Sequence, residues 1–145
     1  ALLICVLITS CVGWISVEVR VGGTLTCSKP FNYTVELREE DDLIDDNIDW
    51  INNRRVWTGV TTYEVSGTAR ERLPFDNRVE PYIAIYHNCG GRASCLCKQW
   101  HDVRHDLDEV LNVNLESGQP KCDRCNLHDW LEKTKENMNR FGPKN

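Results

Sequence analysis

Two short cysteine pairs, Cys95-Leu96-Cys97 and Cys122-Asp123-Arg124-Cys125, carry the densest chemistry in the sequence, with His101 and His105 close by. Four thiolates at such spacing suit tetrahedral zinc. The same sulfurs suit disulfides if the chain enters an oxidising compartment. His101 and His105, four residues apart, share a face in a helix or a strand, but no acidic third ligand stands at a motif position, so they read as surface residues. A second metal pattern is weaker. Asp45, Asn47 and Asp49 have the one-three-five spacing of a calcium loop, yet Trp50 stands where that loop needs Gly, and Val56 where it needs a bidentate Glu. A solvated acidic loop over residues 39–49 is the expectation, pinned to the core by Trp50 and Ile51 and offset by Arg54 and Arg55. Ser66 and Ser94 lack the context of an activated nucleophile. No glycine-rich loop cradles a phosphate. Arg70, Arg72 and Arg78 cluster, and pairing with the acidic loop outranks an anion site. No catalytic residue and no cofactor is assigned, and an enzyme is not expected.

The start of the chain decides between zinc and disulfides. The run ALLICVLITSCVG is apolar, and no charge appears until Glu18. It is too short to span a membrane as a helix and matches the apolar core of a secretory signal peptide, assigned to residues 1–16 with cleavage near Gly13. Its basic head and an initiator Met are missing, so the sequence is expected to start inside that peptide. Removing it takes away Cys5 and Cys11 and leaves Cys27, Cys89, Cys95, Cys97, Cys122 and Cys125. An even count in an exported domain implies a disulfide framework, which outranks zinc. The pairing among Cys95, Cys97, Cys122 and Cys125 stays open. Asn32-Tyr33-Thr34 is a glycosylation sequon, with Asn32 the acceptor. The net charge of −5 over 145 residues argues against a nucleic-acid backbone or an anionic membrane as partner.

These residues need elements to position them. Val17, Val19 and Val21 alternate with Glu18 and Arg20, a strand with one buried face that Gly22-Gly23 interrupts, as a bulge or a close backbone approach, before it resumes through Leu25 to Cys27. Tyr33, Val35 and Leu37 alternate more cleanly and place Asn32 and Thr34 on the solvent face. Val56–Thr58 reads as a short strand and Gly59 as a turn. The central stretch, residues 61–89, holds two strand-like runs, 61–66 and 82–88, separated by a loop from Gly67 to Pro81. Residues 98–108 fit helix and strand equally well. Leu111, Val113 and Leu115 alternate as a closing strand. From Asn126 the period becomes helical, with Leu127, Trp130, Leu131, Thr134 and Met138 on one stripe, Asn126 as cap and Gly142-Pro143 as stop. Residues 17–125 form an all-β sandwich and 126–145 an appended helix and tail.

Several blocks together resemble the nematode transthyretin-like family: Gly23-Thr24-Leu25-Thr26-Cys27, Val35-Glu36-Leu37 before the acidic run, Tyr63-Glu64-Val65-Ser66-Gly67-Thr68-Ala69-Arg70-Glu71, Pro81-Tyr82-Ile83-Ala84-Ile85-Tyr86-His87-Asn88-Cys89, and Leu111-Asn112-Val113-Asn114-Leu115-Glu116 before Cys122. The resemblance implies a secreted, transthyretin-like Greek-key β-sandwich, a Cys27–Cys89 bridge, and a second bridge from the Cys95/Cys97 region to Cys122. It also implies action by binding; with the export signal, the bridged sandwich and the missing catalytic set, the expectation is a partner that is an extracellular protein or cell-surface component, engaged through loops or tail. Carriage of a small apolar ligand is the alternative. A secreted hydrolase related to the hydroxyisourate hydrolases ranks last, because the ending Phe141-Gly142-Pro143-Lys144-Asn145 lacks the Tyr-Arg-Gly-Ser such enzymes carry. The doubled cysteine pairs and the helical tail depart from the family pattern.

Overall fold

The computed structural model describes residues 13–41, 45–73, 78–117 and 122–141, and side chains within these except at 72–73 and 137–141. The apolar run over 1–12, the turn residues Pro74, Asp76 and Asn77, the end of the chain, and the side chain of Met138 lie outside them. The chain forms an all-β sandwich with one C-terminal helix. Among the described residues, eight strands run in order as β1 (Gly13–Thr26), β2 (Phe31–Glu39), β3 (Asp46–Val56), β4 (Val60–Leu73), β5 (Pro81–His87), β6 (Ser94–Gln99), β7 (Leu107–Val110) and β8 (Val113–Asn114), and helix α1 (Leu127–Phe141) follows.

One sheet has the order β4-β1-β7, with β8 also on β1; the other has the order β3-β2-β5-β6. Strand β1 pairs antiparallel with β4 from Gly13↔Leu73 to Thr26↔Val60, while β7 and β8 run parallel to it. The inward faces follow from period two. Val17, Val19, Val21, Val65 and Ala69 from one sheet meet Phe31, Val35, Leu37, Ile83 and Ile85 from the other in one buried cluster. Each such aliphatic or aromatic side chain contributes roughly 1.5–3 kcal/mol by leaving water.

Three stretches differ from the sequence expectations for a tertiary reason. The acidic stretch is not simply a loop: Asp46, Asn47 and Asp49 lie in β3, which pairs with β2 through Glu39↔Asp46 and Arg38↔Asn47. Partner strands overrode the poor strand propensity of Asp and Asn. Trp50 does not pin this segment, since it is 58% exposed. Residues 67–73 extend β4 instead of forming a loop, because they pair with Gly13–Val19 of β1. Gly67 serves close approach there: a Cβ on it would meet Ile48 Cγ2 at 2.6 Å. The closing strand is limited to Val113–Asn114: at Leu111 the chain still donates its N–H to the Gly22 carbonyl at 2.8 Å, but its own carbonyl lies where a Cβ on Gly23 would fall, and the ladder resumes only at Val113. Strand β1 runs through Gly22-Gly23 with its pairing to β4 unbroken, and of the two expected roles, bulge or close backbone approach, Gly23 takes the second. The ambiguous segment 98–108 resolves into the end of β6, an isolated bridge at Val103 and the start of β7.

Glu39 ends the inward row of β2 and is 1% exposed. Its Oε1 has no hydrogen-bond partner among the described residues. Burial first, then a hydrogen bond with Glu71 and the charges of Glu71, Asp46 and Asp41, push its carboxyl up to about 9. An unfolded glutamate ionises near 4.5, so between these values the native chain holds a proton that the unfolded chain releases. Stability therefore falls as pH rises through that window. Glu39→Gln keeps the neutral shape and removes this loss, raising stability at pH 8 by on the order of 2 kcal/mol with little change at pH 4.5. Urea denaturation at both pH values checks it. Equal slopes for both proteins would mean that Glu39 ionises normally in the fold.

Candidate binding groove beneath the C-terminal helix

Three disulfides organise the surface. Cys27, just past β1, joins Cys89, just past β5, across a sequence separation of 62 and so ties the two sheets. Cys95 joins Cys125, and Cys97 joins Cys122. Both cysteines of β6 thus hold the segment that leads into α1. With their sulfurs paired, these four residues offer no thiolates to zinc. His101 lies exposed with Nδ1 4.0 Å from a Glu80 oxygen. Among the described residues, the one potential metal cluster is Cys27, Cys89 and Glu116, where the two sulfurs are bonded to each other and the Glu116 carboxylate accepts the Ser28 N–H.

The stapled segment covers the outer face of the second sheet. Arg124 caps it: its guanidinium donates to Glu40 at 2.6 Å, lies 3.7 Å from an Asp45 oxygen and stacks 4.9 Å over the Tyr82 ring. The bonds from Arg124 and Gln99 hold the Glu40 carboxyl below its ordinary value. Tyr82 donates to Asp45 at 2.6 Å. Helix α1 starts at the expected cap, with the Asp129 N–H donating to Asn126 Oδ1 at 3.0 Å. The Asn126 N–H donates to the Tyr86 hydroxyl at 3.1 Å.

Trp130 is the anchor of the helix. It is 5% exposed, stacks on Tyr86 with ring centroids 6.0 Å apart, and donates from Nε1 to Thr34 Oγ1 at 2.8 Å. Ala84, Tyr86, Cys95 and Trp130 form a second buried cluster. Strand β5 is consequently buried on both faces, which explains its unbroken apolar run. On the helical stripe, Trp130 and Thr134 are buried, but Leu131 is exposed.

Thr34 corrects the reading of the sequon. It does not face solvent but is 4% exposed, because α1 lies over it. Its hydroxyl also accepts the Asn53 N–H at 3.0 Å. That bond comes from a bulge, since Asn52 and Asn53 together oppose Thr34 where the register shifts, and Asn53 takes a φ of 44°. Asn32 is half-buried, and its Oδ1 accepts from Arg55 at 3.1 Å.

Helix α1 covers β5 and part of β2 but leaves β3 open. The result is a groove of about 390 Å³. Thr34, Glu36 and Arg38 of β2 form its floor, Asn47, Trp50 and Asn52 of β3 one wall, and Asp129, Trp130 and Lys133 of α1 the other. Its size falls in the range of small-molecule sites, roughly 300–1,000 Å³. Burial holds the Glu36 carboxyl above its ordinary value, against the pull of Arg38 and Lys133. A bond to Asp129 raises the Lys133 ammonium. Sequence reasoning missed the groove. Its only signal was the run of polar outward residues Thr34, Glu36 and Arg38 on β2 opposite an aromatic on a neighbouring strand.

Comparison with known proteins gave no match to a family model, to a curated protein or to a solved structure. Among the described residues no helix is long and apolar enough to cross a membrane.

Proposed function

We propose that the chain is a secreted extracellular binding protein of the nematode transthyretin-like type, with that family's Greek-key arrangement, which engages a protein or cell-surface component. The groove between β3 and α1 is its binding surface. The observation that carries this reading is the covalent one: two disulfides fix the helix-bearing segment at the edge of an open, aromatic-walled cleft. A rigid site of this kind binds without first ordering its own wall. Three disulfides support an oxidising, extracellular setting. Asn32 is the glycan acceptor in this reading. The apolar-carrier alternative gains nothing from the core, where side chains of both sheets meet in one buried cluster.

The test is capture of extracellular material by the intact secreted chain. Asn52→Trp fills the cleft from an exposed strand position without touching the core. The expected result is specific capture by the native chain and its loss in Asn52→Trp. Unchanged capture by that variant would move the binding surface elsewhere.

A further inference from the structure

The charged groups of the groove cancel one another. Arg38 lies 3.9 Å from Glu36, and Lys133 lies 2.8 Å from Asp129. What they leave for a ligand is mostly amides and an indole: Asn47, Asn52 and Asn126 line the cleft with the exposed Trp50. An anionic headgroup or a nucleotide calls for surplus cations or a nest of backbone N–H groups. A cationic peptide calls for surplus carboxylates. An apolar cargo would strand these polar groups without partners. A neutral sugar fits both halves of the surface. Its hydroxyls pair with amides, carboxylates and guanidinium groups, and the C–H face of its ring packs on a flat aromatic.

The backbone beneath the platform is also held in place. Trp50 stands opposite Glu36 in the β2–β3 register. The Asp49 carboxylate accepts the Trp50 N–H at 2.9 Å through one oxygen and the Ser66 N–H of β4 at 2.9 Å through the other. On the floor, Arg38 donates to the Asp45 carbonyl at 2.9 Å. The backbone that presents Trp50 and the guanidinium on the floor are thus set before a ligand arrives, as a specific site requires.

We infer that the groove binds a neutral saccharide, with Trp50 as the stacking platform and Asn47, Asn52, Glu36 and Asp129 as hydroxyl partners. This rests on the groove being the binding surface proposed above, and it names the chemistry of the cell-surface component.

The test titrates the full secreted chain, disulfides formed, with chitotetraose, cellotetraose, maltotetraose and mannotetraose. Tryptophan fluorescence and calorimetry report binding. At least one tetrasaccharide is expected to bind at or below millimolar concentration. Trp50→Ala is expected to weaken it at least tenfold, and Trp50→Phe to recover part of the loss. The thermal midpoint of Trp50→Ala should match that of the native chain, because the side chain is exposed. If none binds while Asn52→Trp still abolishes capture of extracellular material, the saccharide inference falls and the binding surface stands. If neither effect is seen, both fall. Binding confined to a heparin tetrasaccharide or to anionic lipid vesicles would assign the groove to an anion and overturn the inference.

Discussion

Replacing Cys27 and Cys89 together by alanine is expected to lower the unfolding free energy by about 4 kcal/mol, the loop-closure value for a separation of this length. The bridge closes a separation of 62 residues and is the one disulfide between the two sheets among the described residues. Its ends sit where the fold is already held: the Cys27 N–H donates to the Gly59 carbonyl at 2.8 Å, and the Cys89 N–H donates to His87 Nδ1 at 3.1 Å. Burial keeps the His87 imidazole below its ordinary value and so neutral and able to accept. Because the native geometry is fixed on both sides, the effect falls mainly on the unfolded chain, which gains freedom. A domain with a total stability of roughly 5–15 kcal/mol would lose a large part of it. Denaturant melts of the oxidised native chain and the double variant measure the difference. A change below about 1 kcal/mol would show that residual contacts already restrict the unfolded ensemble without the bridge.

Trp130→Ala is expected to act locally and to cost about 3–5 kcal/mol of helix docking. Truncation removes the main apolar contact of α1 with the second sheet, the stack on Tyr86 and the bond to Thr34. A helix of 15 residues is marginal in water by itself, so it holds its form through packing. The core between the sheets shares no residue with the cluster beneath the helix, and it should survive. Hydrogen exchange should rise in residues 127–141 and stay unchanged in β1 and β4. Trp130→Phe keeps the ring and loses the bond, at a cost of about 1 kcal/mol. Global unfolding at a lower denaturant concentration, with no separate loss of the helix, would show instead that α1 and the sandwich are one cooperative unit.

Much of the fold was legible because it is written in side-chain period. Val17, Val19 and Val21 alternate, as do Tyr33, Val35 and Leu37, and both rows face the core. Asn126 announces the helix by its capping chemistry. What escaped was written in pairing between distant strands. Asp46, Asn47 and Asp49 carry no strand preference and become β3 because β2 offers them a partner. Gly67 looks like a turn and is instead the place where Ile48 passes over β4. Thr34 looks like an outward residue because period two cannot say that a helix 96 residues later will cover it. The same gap hid the groove. Its floor comes from β2, one wall from β3 and the other from α1, and the staples that bring them together were open among four cysteines.

The placement of that helix is therefore the claim on which the binding surface depends. Proteolysis of the secreted, unreduced chain followed by mass mapping of its linked peptides measures it directly. Linkage of Cys95 to Cys125 and of Cys97 to Cys122, beside Cys27 to Cys89, would fix α1 against the second sheet and the groove with it. Bridges within the pairs, Cys95 to Cys97 or Cys122 to Cys125, or four free thiols around one zinc ion, would release the helix from the sheet and remove the groove's second wall.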